Sequence, residues 1–148
     1  MKRILLDTNV LVYAHDRSEP ARLQCSRDLL EVLSDRSDVF LTSQILGEFF
    51  RVVTRKLTDP LSVHVAAARI ETLRAVWEVL PVTEEVVVEA IRGVAAHKLP
   101  YWDAQLWACA RLNQVGVILS EDFQDGRVLE TVRFRNPFAK DFELERVI

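Results

Sequence analysis

The sequence predicts an α/β sandwich built on a mainly parallel sheet, and three observations carry that reading. Short apolar runs at residues 4–6, 39–41, 79–82, 115–119 and 132–135 alternate with longer stretches of helical period. That is the pattern of strands joined by right-handed crossover helices. The chain has 148 residues, 49% hydrophobic and 28% charged, which is enough apolar material for one domain spanning 1–148. Two of the runs pass straight into acidic segments, Ile4-Leu5-Leu6 into Asp7 and residues 115–119 into Ser120-Glu121-Asp122. Ligands of open α/β sheets sit beyond the carboxyl ends of strands, so both acids stand where a site is expected.

Each element has a local cause. Residues 4–6 form a buried strand ending at Asp7. Thr8 or Asn9 then starts a short helix carrying Val10, Leu11 and Ala14. The polar loop His15-Asp16-Arg17-Ser18-Glu19 closes on Pro20, suited to the first turn of the next helix. Over residues 21–35, Cys25, Leu29, Val32 and Leu33 make a helical stripe. Residues 39–41 read as the second strand, and Thr42 or Ser43 caps a helix through about Leu57. Thr58-Asp59-Pro60-Leu61-Ser62 breaks that helix and starts another, in which Val63, Ala66, Ala67, Ile70, Leu73 and Trp77 are spaced as one buried face. Residues 79–82 carry Pro81 and belong at or near a sheet edge.

Thr83 caps the next helix, with Glu84 and Glu85 in the first turn, where the helix dipole favours acids. Val87, Ile91 and Val94 are its expected buried face. Tyr101-Trp102-Asp103-Ala104 opens a helix whose stripe uses Leu106, Trp107 and Ala110. Residues 115–119 are the clearest strand, 123–127 a turn-rich loop, and 132–135 a final alternating strand.

Charge and composition narrow the function. A formal net charge of -3 is not the basic footprint of a general nucleic-acid binder. A polyanionic substrate would therefore need something at the site to offset negative charge. No apolar run approaches the roughly 20 residues of a membrane span, and no signal-peptide pattern opens the chain, so a cytoplasmic protein is expected. Cys25 and Cys109 stand alone in helical patterns and read as small core residues in a reducing compartment. His15 and His97 read as surface residues.

Four acids depart from the solvent-facing norm. Ile45, Glu48 and Val52 follow one another at helical spacing, so Glu48 lies on or beside an apolar stripe. Gly47 beside it costs about 1 kcal/mol relative to Ala in mid-helix, which suggests that a backbone or ligand approaches closely there. Asp103 is one turn before Leu106 and Trp107 and faces their way. If residues 4–6 and 117–119 are neighbouring strands, Asp7 and Asp122 come together. The helices starting after residues 42 and 101 then aim Glu48 and Asp103 at the same crevice.

Carboxylates gathered without bases repel one another strongly, and hard divalent cations relieve the repulsion. Oxygen-only ligation suits Mg²⁺ or Mn²⁺. Such ions activate water and stabilise the in-line oxygens of phosphodiester cleavage. Each acid alone has a blander reading: a helix cap for Asp7, a partner of Arg51 or Arg55 for Glu48, a dipole acid for Asp103, a turn former for Asp122. Their combination favours the metal site. Arg51 and Arg55, with Lys56, Lys98, Arg127 and Arg133, are candidates for holding substrate phosphates.

Ile4-Leu5-Leu6-Asp7-Thr8-Asn9, Glu48 in an early helix, Tyr101-Trp102-Asp103-Ala104 and Leu119-Ser120-Glu121-Asp122-Phe123 together resemble the PIN-domain ribonucleases. The likeness is strongest to the VapC-type toxins of bacterial and archaeal toxin–antitoxin pairs. Order, spacing and total length agree over nearly the whole chain. The resemblance implies a three-layer α/β/α sandwich, Mg²⁺- or Mn²⁺-dependent cleavage of RNA, and inhibition by a cognate antitoxin protein. It implies that Asp7, Glu48, Asp103 and Asp122 are the metal-site acids and that Asn9 and Ser120 are their polar companions. Family members often form homodimers, which is the expectation here. Glu121 and Asp125 crowd Asp122, which leaves open which acid of that segment meets metal.

Two rival functions remain at this stage. A non-catalytic interaction module would use the same acids to hold a structural ion or a basic partner segment. An aspartyl-nucleophile phosphatase also starts strand-Asp, but it needs a second acid two residues on, where this chain has Asn9.

Overall fold

The computed structural model describes residues 2–147. The single domain expected over 1–148 therefore includes two residues, Met1 and Ile148, that lie outside the described residues. The elements run β1 (Ile4–Leu6), α1 (Thr8–Tyr13), α2 (Pro20–Leu33), β2 (Val39–Thr42), α3 (Ser43–Arg55), α4 (Val63–Val76), β3 (Glu78–Leu80), α5 (Glu84–His97), α6 (Tyr101–Leu112), β4 (Val117–Leu119), β5 (Val128–Leu129) and β6 (Val132–Arg135). A 3₁₀ turn, Leu144–Arg146, follows. The strands form one sheet in the order β3-β2-β1-β4-β6-β5. All pairings are parallel except the β5–β6 hairpin. This is the predicted α/β sandwich with a mainly parallel sheet.

Sheet order places the site. From β1 the chain steps to β2 and β3 on one side, then crosses to β4 on the other. The crevice beyond the carboxyl ends of β1 and β4 is thus the topological switch point of the sheet, the usual ligand position in such folds. Leu6 is in register with Leu119, so the residues that follow, Asp7 and Ser120, emerge side by side. Every residue of β1 and β4 is buried, as expected of strands covered by helices on both faces. Among the described residues no helix is long and apolar enough to cross a membrane.

Several local expectations are corrected by packing. Helix α1 starts at Thr8, as expected, and Asp7 is its cap: its side chain accepts from the Thr8 backbone N–H. In α2 the buried row is Ser26, Leu29 and Leu33, and Val32 faces solvent. On α4 only Ala66 is fully buried within the helix, with Ile70 and Leu73 half-buried and Val63 and Ala67 exposed. That helix lies against α3 at the rim, so it buries one row and not a whole face.

The buried row of α5 is Val86, Ala90 and Gly93, one residue round from the expected Val87, Ile91 and Val94. Small residues decide this. A Cβ on Gly93 would come within 2.8 Å of the Trp107 ring, so α5 can lie against α6 only by turning its small side inward. Gly47 has the opposite outcome: a Cβ there would meet nothing within 4 Å, and the expected close approach does not occur. Cys109 is buried and Cys25 half-buried, both as free thiols. His15 and His97 are half-buried rather than exposed, packed edge-on to Phe49 and Trp107.

Candidate functional site

The site begins where β1 ends. Asp7 is 8% exposed, and its two oxygens are already engaged by the protein. Oδ1 accepts the Thr8 backbone N–H at 2.7 Å, and Oδ2 accepts the Ser120 hydroxyl at 2.6 Å. Both bonds favour the ionised form. Burial outweighs them, helped by the charges of Asp122 and Glu48, and the Asp7 carboxyl is pushed up to about 6.

Glu48 projects from α3, which Thr42 caps through its hydroxyl. One oxygen of Glu48 accepts the Thr8 hydroxyl at 2.7 Å, and the other accepts the Gln44 amide at 2.9 Å. Thr8 thereby joins the first acid to the second through its backbone N–H and its hydroxyl.

Asp103 stands in the first turn of α6 and is half-buried. A helix start stabilises an acid, yet its pKa lies above the ordinary carboxylate value. Burial is the largest cause, followed by the charges of Asp122 and Glu48. Asp122 is held by its neighbours on the other strand end. Its carboxylate accepts the Asn9 amide at 3.1 Å, and its backbone N–H donates to the Ser120 hydroxyl oxygen at 3.1 Å. Ser120, fully buried, thus orients Asp7 while anchoring the loop that carries Asp122.

The structure brings Asp7, Glu48, Asp103, Asp122, Asn9 and Ser120 to one crevice. Among the described residues none of the four acids forms an ion pair with a base. The two acids that crowd Asp122 are committed elsewhere. Glu121 pairs with Arg22 and accepts from the Tyr13 hydroxyl, and Asp125 pairs with Arg135.

Arg51 and Arg55 are exposed on α3 and do not line the groove leading from the acids. That groove, about 340 Å³, runs from Thr8, Asn9 and Asp122 past Val52 to Lys56. Lys56 is the basic side chain the fold sets along it. Reasoning from sequence also missed the Thr8 hydroxyl and the Gln44–Gln105 contact. Gln105 did carry a signal, as a lone amide inside an apolar helix.

The donor set is suited to a divalent cation. It consists of oxygens only, the choice of a hard ion. The Oδ1 atom of Asn9 is buried with no partner, an acceptor left open beside the acids. Among the described residues no three metal-binding side chains are drawn into a ready-made cage. Asp7, Glu48 and Asp122 each accept hydrogen bonds from the protein instead.

The comparisons with known proteins bear on the family and the fold. The PIN domain model matches residues 4–127. No curated protein matches the chain. Among solved structures, VapC20 from Mycobacterium tuberculosis, described as a sarcin–ricin loop cleaving toxin, superposes with a TM-score of 0.63 at 21% identity, covering 80% of this chain and 89% of that one. A toxin–antitoxin complex from Klebsiella pneumoniae gives a TM-score of 0.67 at 14% identity, with 91% and 98% covered. DNA-bound VapBC from Salmonella typhimurium gives 0.64 at 18%, with 93% and 99% covered. At these identities the superpositions speak to the fold, and the sequence match over most of its length shows that this chain belongs to the PIN domain family.

Proposed function

We propose that the chain is a divalent-metal-dependent endoribonuclease, hydrolysing RNA phosphodiester bonds as the toxin of a toxin–antitoxin pair. One observation carries the reading: four carboxylates from separate parts of the chain share one crevice, where burial and the charges of Glu48 and Asp122 raise the pKa of Asp7 and Asp103, with no base among the described residues to neutralise them. The neighbours supply its biological setting. VapC20 is a toxin that cleaves the sarcin–ricin loop, and the Klebsiella structure is a toxin bound to its antitoxin. An antitoxin protein is accordingly the proposed partner.

Asp7, Glu48, Asp103 and Asp122 would hold Mg²⁺ or Mn²⁺. A bound ion supplies Lewis acidity towards phosphate oxygens and lowers the pKa of water. The protein's own residues do the rest. Ser120 and Thr8 fix the Asp7 carboxylate from both sides, and Asn9 turns Asp122 inward. Lys56, at the far end of the groove, offers an ammonium to a phosphate flanking the cleaved bond. Trp102, 64% exposed and adjacent to Asp103, offers a stacking face to an unpaired base.

The test is cleavage of a panel of structured RNAs in Mg²⁺ or Mn²⁺ by the wild type and by Asp7→Asn. Cleavage by the wild type alone is expected, with the variant slower by about 100-fold or more, as when a group that stabilises developing charge is removed. Equal cleavage by both proteins would contradict the assignment.

A further inference from the structure

Residues 104–110 of α6 are all buried, and Gln105 is the one amide among them. A buried amide must find partners or pay the full cost of desolvation. Gln105 has one at each end: the Tyr101 hydroxyl donates to its Oε1 at 2.9 Å, and its Nε2 donates to Gln44 Oε1 at 2.7 Å. The second bond decides how the Gln44 amide lies. With Oε1 taken as acceptor, Nε2 is turned towards Glu48, donating to its Oε1 at 2.9 Å and to the Trp102 carbonyl at 3.4 Å.

The reversed amide would set an oxygen against the Glu48 carboxylate and an NH₂ against that of Gln105. Both contacts are repulsive, so the orientation is fixed by its surroundings. Every donor in the run therefore points towards Glu48, and bonds chained this way strengthen one another. The run also spans two elements. Gln44 lies one turn before Glu48 on α3, while Tyr101, Trp102 and Gln105 flank Asp103 on α6. A leucine at 105 would fill a similar space in that apolar helix without needing partners, so packing alone does not call for an amide there.

We propose that Tyr101, Gln105 and Gln44 act as a positioning relay that fixes Glu48 relative to Asp103 across the α3–α6 boundary, so that both carboxylates are pre-arranged for the cation. The relay rests on the cation site of the reading above, not on its substrate, and adds residues that touch neither substrate nor ion. It is tested with Gln44→Leu, Gln105→Leu and Tyr101→Phe beside the wild type and Asp7→Asn. The readouts are the Kd for Mn²⁺ by calorimetry, kcat and KM on a cleaved RNA, and the Tm of the metal-free protein.

Gln44→Leu is expected to weaken Mn²⁺ binding and lower kcat by roughly 10- to 100-fold, the usual effect of removing a ligand's hydrogen-bond partner, with KM within about twofold. Gln105→Leu should follow with a smaller loss and Tyr101→Phe with the smallest, without a matching order in metal-free Tm. Wild-type Mn²⁺ affinity and kcat in all three variants overturn the relay, whatever happens to Tm. If the wild type cleaves RNA and Asp7→Asn does not, that result sinks the relay alone. A wild type that leaves RNA uncut while Mn²⁺ affinity falls along the series sinks the nuclease reading and supports the relay. A wild type that binds no Mn²⁺ sinks both.

Discussion

At the carboxyl edge of the sheet, Asp7, Glu48, Asp103 and Asp122 share one crevice, and none of them is paired with a base among the described residues. At the opposite edge, where the β5–β6 turn precedes the start of β6, Glu130 meets Arg92 at 2.9 Å, Arg111 at 3.2 Å and His97 at 2.6 Å. Glu89 joins the same cluster through Arg92 and Arg111. The side chains are of one chemical kind, and their company sets them apart. Hydrogen bonds from Arg92 and then His97 hold the Glu130 carboxyl down at about 2, whereas burial among like charges pushes Asp7 up to about 6. One cluster is closed by the protein itself. The other is left open at a cost to the fold, which is the mark of a site prepared for something the chain does not supply.

The larger test of that contrast is stability without metal. The folded Asp7 carboxyl binds its proton more tightly than the unfolded one, whose ordinary value is 3.8. Its ionisation therefore penalises the native state fully above pH about 6, and the penalty fades as pH falls towards 4. Asp7→Asn is expected to stabilise the metal-free protein by about 2 kcal/mol at pH 7.5, the size of a two-unit shift less some lost hydrogen bonding. Urea unfolding in EDTA at pH 7.5 and pH 4 measures it, and the gain should disappear at the lower pH. A variant less stable than the wild type at pH 7.5 would break the comparison.

The smaller effect has the opposite sign. Glu130 contributes stability above its ordinary value of 4.5 and loses it as pH falls towards 2. The cluster is partly solvent-exposed, so Glu130→Gln should destabilise by only about 1 kcal/mol at neutral pH, less in high salt. Its unfolding midpoint should approach that of the wild type near pH 3. A loss that persists unchanged at pH 3 would mean that Glu130 acts through packing rather than charge.

How much of this was legible in the sequence follows from what each residue needs. The strands were readable because β1 and β4 are short, continuous apolar runs buried on both faces. The face of α4 was read correctly at Ala66, Ile70, Leu73 and Trp77 and too widely at Val63 and Ala67; that of α5 was misread because large apolar residues stand out in a sequence, while packing there is set by small ones. Gly93 lets Trp107 approach, and Ile91 is left in solvent. The β5–β6 hairpin went unseen because β5 has two residues and its turn relies on Glu130 at a positive φ of 57°, not on glycine.

In the site, the acids were legible because a carboxylate next to a core residue is anomalous wherever it occurs. Their uncharged partners were not. Thr8, Gln44 and Gln105 are unremarkable until the fold sets their hydrogen bonds across elements. Arg51 and Arg55 were chosen for nearness to Glu48 along the chain, but the groove follows the row from Val52 to Lys56.

The central claim is that the open acid cluster is a cation site. Calorimetric titration of Mn²⁺ into the wild type, Asp7→Asn and Glu130→Gln tests it most directly. Saturable binding is expected for the wild type, unchanged affinity for Glu130→Gln, and no measurable binding for Asp7→Asn. A wild type that takes up no Mn²⁺, or an Asp7→Asn protein that binds it equally well, would contradict the account.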